Sequence, residues 1–263
     1  MLIAQISDCH ITEPGDLMAD RVDPTVGLRL AVEHLVGLGD AVDLVLATGD
    51  LVNDGGAGEY DVLEALLAPL PQRLVVVPGN HDDRTELRRR FGLPAGEPTK
   101  PIRQVVDLDE ARIICLDTNV PGHHHGSVDD EQLAWLDQAL ASRVDVPALI
   151  VQHHPPFESG IDQMDRYRLA GAAREADVVG RHDHAVGVLA GHFHRPIVRG
   201  FAGTVAFACP STAAQLLGRL GSGPTTYCDD PPALALHDLT DGSLTTHVVQ
   251  LRDTTAWTPS WAT

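Results

Sequence analysis

The middle of the chain holds a strand signal that runs straight into a group of polar side chains. The apolar run Leu74-Val75-Val76-Val77 is followed by Pro78-Gly79-Asn80-His81-Asp82. Apolar β-branched residues that stop at Pro-Gly predict a buried strand ending in a tight turn. This turn carries an amide, an imidazole and a carboxylate, which are groups suited to chemistry. A turn closed by its own hydrogen bonds would explain the same residues, so other parts of the chain must decide.

The same order of strand, turn and polar residues recurs elsewhere. Strands predicted at 2–6, 42–47, 148–151 and 186–190 are followed by Asp8-Cys9-His10, Thr48-Gly49-Asp50, Gln152-His153-His154 and Gly191-His192-Phe193-His194. In an α/β protein the carboxyl ends of parallel strands meet at one rim, where ligands bind. We therefore expect these side chains to become neighbours, although a surface Asp and His would explain the first pair alone.

Two of these motifs contain a pair of polar residues spaced two positions apart. In extended chain, Asp8 and His10 would project to the same side, and so would His192 and His194. Phe193 would then face the opposite way.

The donor atoms expected at this rim indicate a metal centre. Apart from His81, seven residues supply nitrogen or oxygen and no thiolate, which suits Mn, Fe, Zn or Co and disfavours Cu(I) or a structural zinc. Seven donors are too many for one tetrahedral ion, and they fit two ions that share a carboxylate. The seven are Asp8, His10, Asp50, Asn80, His153, His192 and His194.

The length and net charge of the chain restrict its domain organisation and the molecules that it can bind. With 263 residues, 43% of them hydrophobic, the chain fits a single domain over 1–263 with a loop-rich cap at about 210–232 and a tail at 252–263. A net charge of −18 repels nucleic acid polymers and anionic membranes, so we expect a small-molecule substrate. We see no leader segment and no apolar run long enough to span a membrane.

The remaining pattern predicts alternating helices and strands. Helices are expected at 24–38, 59–70, 84–91, 129–141 and up to about 179, and hairpins at 102–117, 196–208 and 233–249. Trp257 and Trp261 in the tail are expected to pack on the body or on a second subunit. The cysteines are scattered and predict reduced, structural thiols of a cytoplasmic protein; they are Cys9, Cys115, Cys209 and Cys228.

In order and spacing, the motifs between residues 8 and 194 resemble the signature of the calcineurin-like metallophosphoesterases. They are most similar to those of the bacterial glycerophosphodiesterases and the class III cyclic nucleotide phosphodiesterases. The resemblance implies a four-layer α/β/β/α sandwich of two mixed sheets flanked by helices, with small cap-forming loops. It also implies a homodimer or higher homo-oligomer.

The resemblance also implies a role for each site residue. Asp8, His10, Asp50 and His194 would hold the first of two divalent ions (Fe, Mn, Zn or Co), and the bridging Asp50, Asn80, His153 and His192 the second. A metal-bound hydroxide would attack the phosphorus, and two divalent ions would leave a surplus of about one positive charge to meet a phosphodiester. His81 would face the phosphoryl group and assist the leaving alkoxide, and Asn80 would also contact the substrate.

Several alternatives stay open at this stage. A phosphomonoesterase or phosphoprotein phosphatase is the closest one, but Asn53 stands where the phosphoprotein phosphatases have an Asp that orients the histidine. A non-catalytic scaffold on the same fold should have lost donors, and none is missing. The run His123-His124-His125 resembles a tag or a solvated loop, and its place after a strand end makes His124 a candidate substrate contact. Phe157, Tyr167 and Tyr227 are the candidates for stacking on a nucleobase.

Overall fold

The computed structural model describes residues 1–252, 255–259 and 261. Two mixed sheets pack face to face, and helices cover the outer face of each. The α/β/β/α sandwich expected from the sequence is therefore confirmed.

The first sheet carries three parallel strands and a C-terminal hairpin. Its strands in spatial order are β15 (Ser243–Gln250), β14 (Ala233–Thr240), β1 (Leu2–Ile6), β2 (Leu44–Ala47) and β3 (Arg73–Val76). Strand β1 pairs in parallel with β2 in the register Ile3 to Leu44, and antiparallel with β14. The outer face is covered by α1 (Pro24–Leu38), α2 (Ala57–Leu67) and α3 (Arg84–Phe91).

The second sheet has six strands, four of which run parallel. In spatial order these are β10 (Ile197–Phe201), β11 (Thr204–Ala208), β9 (Ala185–Ala190), β7 (Ala148–Val151), β5 (Arg112–Leu116) and β4 (Arg103–Asp107). Helices α4 (Asp130–Ala141), α5 (Asp162–Asp165) and α6 (Ala172–Val179) pack on its outer face. Two short ladders, β6 (Gly126–Ser127) with β8 (Leu169–Ala170) and β12 (Gln215–Leu216) with β13 (Tyr227–Cys228), lie in the loops.

The central strands are apolar because both faces of each sheet are buried. Ile3, Leu46 and Val75 of the first sheet contribute to one cluster with Ile113 and Leu149 of the second. The alternate residues of the same strands lie on the opposite face of each sheet and pack under the helices. This double burial removes the usual alternation of polar and apolar positions.

Most element boundaries agree with the sequence pattern, and the differences have local causes. Helix α1 has the predicted ends because Asp23 accepts the Thr25 N–H at 3.0 Å and Gly39 ends the helix at a φ of 53°. Helix α2 begins two residues earlier than predicted. The Glu59 side chain, taken as the start, accepts the N–H of Gly56 at 2.9 Å and so caps the helix from inside.

The two tryptophans of the tail are a correction. Trp257 is 79% exposed and Trp261 is 85% exposed, so the prediction that they pack on the body is wrong. The last buried residue before them is Leu251, and residues 255–259 are irregular, so no regular element directs the rings to the core. Packing on a second subunit stays a prediction, and residues 253, 254, 260, 262 and 263 of the predicted tail lie outside the described residues. No helix within the described ranges is both long and apolar enough to cross a bilayer.

A buried carboxyl group on α6 gives a prediction about stability. Glu175 is fully buried and its one hydrogen-bond partner among the described residues is the Gln152 amide at 3.5 Å, so burial raises its pKa to about 8. Above its ordinary pKa only the unfolded chain ionises this group, so stability falls as the pH rises towards 8. We expect Glu175→Gln to increase the free energy of unfolding by up to about 3 kcal/mol at pH 7. Denaturant titrations from pH 5 to 8 should show the gain growing with pH, and a gain independent of pH would contradict this account.

Candidate metal centre

Eight predicted site residues meet at one rim of the sandwich, at the carboxyl ends of strands from both sheets. Asp8 and His10 follow β1, Asp50 follows β2, and Asn80 and His81 follow β3. From the second sheet, His153 follows β7, and His192 and His194 follow β9. Ligand atoms of Asp8, His10 and His194 lie within 4.8 Å of one another, as do those of Asp8, Asp50 and His153.

Asp50 lies between two groups of donors. Its Oδ2 atom is 3.8 Å from His10 Nε2 and 3.2 Å from His153 Nε2. On one side, His194 Nε2 lies 3.1 Å from His10 Nε2 and 3.4 Å from Asp8 Oδ1. This is the position that the resemblance implies for a carboxylate shared between two ions.

The hydrogen bonds of the candidate metal-binding side chains leave atoms available to bind metal ions. His153 Nδ1 donates to the Thr48 carbonyl at 2.8 Å and His194 Nδ1 to the Ala214 carbonyl at 2.9 Å, which leaves the Nε2 atom of each directed into the site. Among the described residues, three buried donor atoms have no well-directed hydrogen bond: Asn80 Oδ1, His153 Nε2 and His192 Nε2. Each unsatisfied polar atom costs about 1–3 kcal/mol. A metal ion bound by these atoms would remove that cost. Together with the cluster of Asp8, His10 and His194, the residues present fit a two-metal centre.

The backbone at the donors differs from the prediction. Five donor residues have positive φ, between 45° and 69°, and these are Asp8, His10, Asp50, His192 and His194. The expectation of extended chain with alternating sides is therefore wrong, although the side chains still converge and Phe193 still faces away from them, buried under the helices. Left-handed conformations cost free energy for residues other than glycine and cluster at functional sites.

Two glycines allow the strand ends to approach. A Cβ atom on Gly79 would lie 2.2 Å from the Asp50 backbone nitrogen, and one on Gly191 would lie 2.0 Å from Ser7 Oγ and 2.9 Å from Asp8 Oδ2. Either contact would displace a donor, so these positions require glycine for packing.

The carboxylates and imidazoles of the site shift each other's pKa values in opposite directions. Burial disfavours the Asp50 carboxylate, yet the neighbouring histidines, led by His153, hold its pKa well below the ordinary value. Burial also opposes the charge on His153, but Asp50 raises the pKa of that imidazole to about 9. Burial lowers the pKa of His10 and His192, so these rings are neutral and available to bind a metal ion.

Asp82 is a supporting residue to which sequence reasoning gave no role. Its buried carboxylate accepts the N–H groups of Gly79 at 2.8 Å and Leu51 at 3.2 Å, and the Tyr60 hydroxyl at 3.2 Å. It thereby ties the turn that carries Asp50 to the turn that carries Asn80. Its place in the 78–82 motif is the signal that could have identified it.

His81 is oriented by a backbone carbonyl. Its Nδ1 lies 2.5 Å from the Asn53 carbonyl oxygen, to which it donates, and its backbone N–H donates to Asp50 Oδ1 at 2.9 Å. The Asn53 side chain turns away and donates to Asp54 at 3.0 Å. A neutral carbonyl thus stands in place of the carboxylate expected in the phosphoprotein phosphatases, and it leaves His81 Nε2 free for other contacts.

The mouth of the site is a cavity of about 230 Å³. His124 lies in it with Nδ1 3.4 Å from Asn80 Nδ2, and the His124 ring lies 5.6 Å from that of Tyr167. His154, adjacent to the donor His153, holds this loop: its Nε2 lies 3.1 Å from the His124 carbonyl and its Nδ1 2.8 Å from Thr118 Oγ1. Both of its nitrogens are occupied, so His154 supports the wall of the cavity.

The candidates for stacking separate into two groups. Tyr167 and Tyr227 line the cavity, and the Tyr227 ring lies 5.6 Å from that of His194. Phe157 is instead 5% exposed and packs at 5.9 Å against Phe193 in the core, so its assignment to the cavity is wrong. Met164 and Thr225 complete the wall, in segments 157–168 and 210–230 that the sequence suggested for substrate selectivity.

Comparisons with known proteins agree with this geometry. Residues 1–196 match the family model for the calcineurin-like phosphoesterases. The chain is 31% identical to a probable glycerophosphodiester phosphodiesterase GpdQ of Arcobacter nitrofigilis, over 94% of this chain and 92% of that protein. It is also 31% identical to the 3',5'-cyclic adenosine monophosphate phosphodiesterase CpdA of Pseudomonas aeruginosa, over 96% of this chain and 91% of that one.

A solved structure shows the same fold. A dimetal phosphatase from Danio rerio superposes with a TM-score of 0.68 at 16% identity, covering 96% of this chain and 99% of that one. The prediction of a phosphodiester hydrolase is confirmed at the level of the family, because relatives that span most of the chain are named phosphodiesterases. On the matched residues and the shared fold, the chain belongs to the calcineurin-like phosphoesterase family.

Proposed function

We propose that the protein is a binuclear metal-dependent phosphodiesterase that hydrolyses small phosphodiesters, such as cyclic nucleotides or glycerophosphodiesters. The observation that carries the proposal is the convergence of buried carboxylates and imidazoles on both sides of Asp50, with three facing atoms, those of Asn80, His153 and His192, lacking well-directed hydrogen bonds. The names of the two relatives support the substrate class.

In this proposal each donor keeps the role that the resemblance implies. Asp8, His10 and His194 would hold one ion, Asn80, His153 and His192 would hold the other, and Asp50 would be shared between them. When bound, two divalent ions supply positive charge for the phosphoryl oxygens and lower the pKa of a water towards 7. Fe, Mn, Zn and Co all suit the nitrogen and oxygen donors.

The protein side chains then bind and orient the substrate. His81 Nε2, left free by the bond from Nδ1 to the Asn53 carbonyl, faces the same cavity as the donors, and the ring protonated at both nitrogens can give its Nε2 proton to a departing alkoxide. Asn80 and His124 lie side by side at the cavity wall, where we place contacts to the phosphoryl group and to the leaving group. Tyr167 and Tyr227 supply flat surfaces for the rest of the molecule.

The cavity size and the overall charge favour a small substrate. A volume of about 230 Å³ admits a mononucleotide or a glycerol diester far more readily than a folded phosphoprotein, and the net charge of −18 repels polyanions. A single domain, a reducing compartment such as the cytoplasm, and a possible homo-oligomer complete the proposal. The four cysteines, none of which forms a disulfide, support the reducing compartment.

A substrate panel tests the proposal. We expect the manganese-loaded protein to hydrolyse cyclic nucleotides, glycerophosphodiesters or bis(p-nitrophenyl) phosphate with a higher kcat/KM than p-nitrophenyl phosphate or a phosphopeptide. A preference for the monoesters would favour the phosphomonoesterase alternative. Absence of turnover on every ester, in a protein shown to hold two ions, would favour the scaffold.

Asn80 gives a prediction about unequal metal sites. Among the proposed donors it alone offers a neutral oxygen, and an amide binds a cation less tightly than a carboxylate. Asn80→Asp is therefore expected to tighten the weaker metal site and slow turnover, because the added charge repels the phosphodiester. Metal titration followed by steady-state kinetics measures both effects.

The neighbouring Asn53→Asp variant serves as the control for that measurement. The Asn53 side chain bonds Asp54 and is not among the proposed donors, so the same added charge should leave metal affinity nearly unchanged. Equal affinities for Asn80→Asp and the parent protein at both sites would count against Asn80 as a ligand.

A further inference from the structure

Gln5 is a polar side chain in the middle of an apolar strand. It lies in β1 between Ala4 and Ile6, it is fully buried, and it reaches across to the second sheet. The layer between the sheets is otherwise built from apolar side chains such as Ile3 and Leu149. An amide in such surroundings costs free energy unless its hydrogen bonds are made, so its bonds show what it does there.

The amide nitrogen of Gln5 joins the two sheets directly beneath the metal centre. It donates to Thr48 Oγ1 at 2.8 Å and to the Ala190 carbonyl at 2.9 Å. Thr48 directly follows β2 and lies two residues before Asp50, and Ala190 ends β9 two residues before His192. One side chain therefore holds both strand ends at the point where each turns into the site.

Thr48 is also the residue that orients a donor from the second sheet. Its carbonyl accepts a hydrogen bond from His153 Nδ1 at 2.8 Å, while its hydroxyl accepts from Gln5. Movement of Thr48 would therefore turn the His153 ring as well as shift Asp50.

A histidine on β14, the strand that pairs with β1 on the side away from β2, fixes the orientation of the Gln5 amide. His237 on β14 is fully buried, and its Nε2 donates to Gln5 Oε1 at 2.9 Å while its Nδ1 accepts from Thr246 Oγ1 at 2.8 Å. Burial lowers the pKa of His237 to about 3, which keeps the ring neutral. A flipped amide would set its NH₂ group against the His237 N–H and leave the Ala190 carbonyl without this donor.

We propose that Gln5, held in one orientation by His237, is a positioning residue that sets the spacing between the metal donors of the first sheet and those of the second. This inference rests on the proposed metal centre. Because the donors come from two separately packed sheets, a link between the strand ends is needed to keep them in register. Gln5 is one such link, through Thr48 and Ala190, alongside the bonds from His153 Nδ1 to the Thr48 carbonyl and from the His192 N–H to Asp8.

A pair of matched substitutions tests the proposal. Gln5→Met keeps the length of the side chain and removes its hydrogen bonds. Gln72→Met makes the same change at a remote glutamine, whose amide donates to the carbonyls of Leu35 at 3.0 Å and Gly39 at 2.9 Å. For each protein we would measure Mn²⁺ affinity, the visible absorption spectrum of the Co²⁺ form, kcat and KM, and the unfolding temperature without metal.

We expect Gln5→Met to weaken metal binding by roughly 10–100-fold, the usual effect of losing a residue that orients a ligand. The cobalt spectrum should change and kcat should fall more than KM rises. Gln72→Met should lower the unfolding temperature while leaving affinity, spectrum and kcat unchanged. His237→Leu should shift affinity and spectrum in the same direction as Gln5→Met, but less.

The outcomes separate this inference from the proposed function. Gln5→Met with the parent affinity, spectrum and kcat and a lower unfolding temperature would reduce Gln5 to a structural residue and overturn the inference. Should Gln5→Met fail to fold, His237→Leu decides, because an unchanged cobalt spectrum and affinity in that variant would overturn the inference too. A parent protein that takes up no metal would instead refute the proposed function.

Discussion

Asp50→Asn is expected to lower kcat/KM on phosphodiesters by roughly 10³-fold or more. The side chain lies between the two groups of donors, 3.8 Å from His10 Nε2 and 3.2 Å from His153 Nε2, and it also accepts the backbone N–H of His81. The amide keeps the shape but removes the charge that two ions would share, and metal stabilisation of a phosphoryl transition state is worth several kcal/mol. Each 1.36 kcal/mol corresponds to about tenfold in rate.

Asp83→Asn is the matched control for this variant. Asp83 caps helix α3 by accepting the N–H groups of Thr85 and Glu86, a role that asparagine fills about equally well. Its activity should stay close to that of the parent protein. Asp50→Asn with both ions bound and kcat/KM within a few-fold of the parent would contradict the bridging role.

The second large effect concerns His81 and depends on the leaving group. His81→Ala is expected to retain both ions and to lose roughly 10²–10⁴-fold in kcat on alkyl or ribose phosphodiesters, the usual scale for a general acid. The loss on p-nitrophenyl esters should be much smaller, because an aryl oxide departs without protonation. Parallel kinetics on bis(p-nitrophenyl) phosphate and on the best alkyl diester, with metal content measured on the same samples, make the comparison.

His123→Ala provides the control for His81, since His123 is an exposed histidine of the neighbouring loop and should leave both rates unchanged. His153→Ala, by contrast, should lose metal as well as activity. Equal losses on aryl and alkyl esters for His81→Ala would show that His81 orients the phosphate or the nucleophile, and the general-acid role would have to be abandoned.

The convergence of these side chains at one rim could be predicted from sequence because their placement follows from local rules. Apolar strands such as Ala148–Val151 end at turns, and parallel strands bring those ends to one rim, so His153 and Asp50 meet although 103 positions separate them. Helix α1 was predictable to the residue for the same kind of reason, with Asp23 as N-cap and Gly39 at the end.

Other features depend on contacts that sequence periodicity does not encode. The positive φ of Asp8 and His192 follows from hydrogen bonds between turns, such as the Asp8 N–H to the Gly49 carbonyl at 3.0 Å. An aromatic residue in a loop can enter the cavity, as Tyr167 does, or the core, as Phe157 does, and composition alone does not separate the two. Gln5 also gave no signal, because a single polar residue in a strand is equally typical of an exposed position.

Metal stoichiometry coupled to activity tests the central claim most directly. The protein would be stripped with a chelator, shown to be metal-free by elemental analysis, and titrated with Mn²⁺ or Co²⁺ while hydrolysis of a phosphodiester is followed. The two-metal account predicts no turnover without metal, binding that saturates at two ions per chain, and activity that rises with occupancy of the second site. Full turnover in the metal-free sample, or saturation at one ion with full activity, would contradict it.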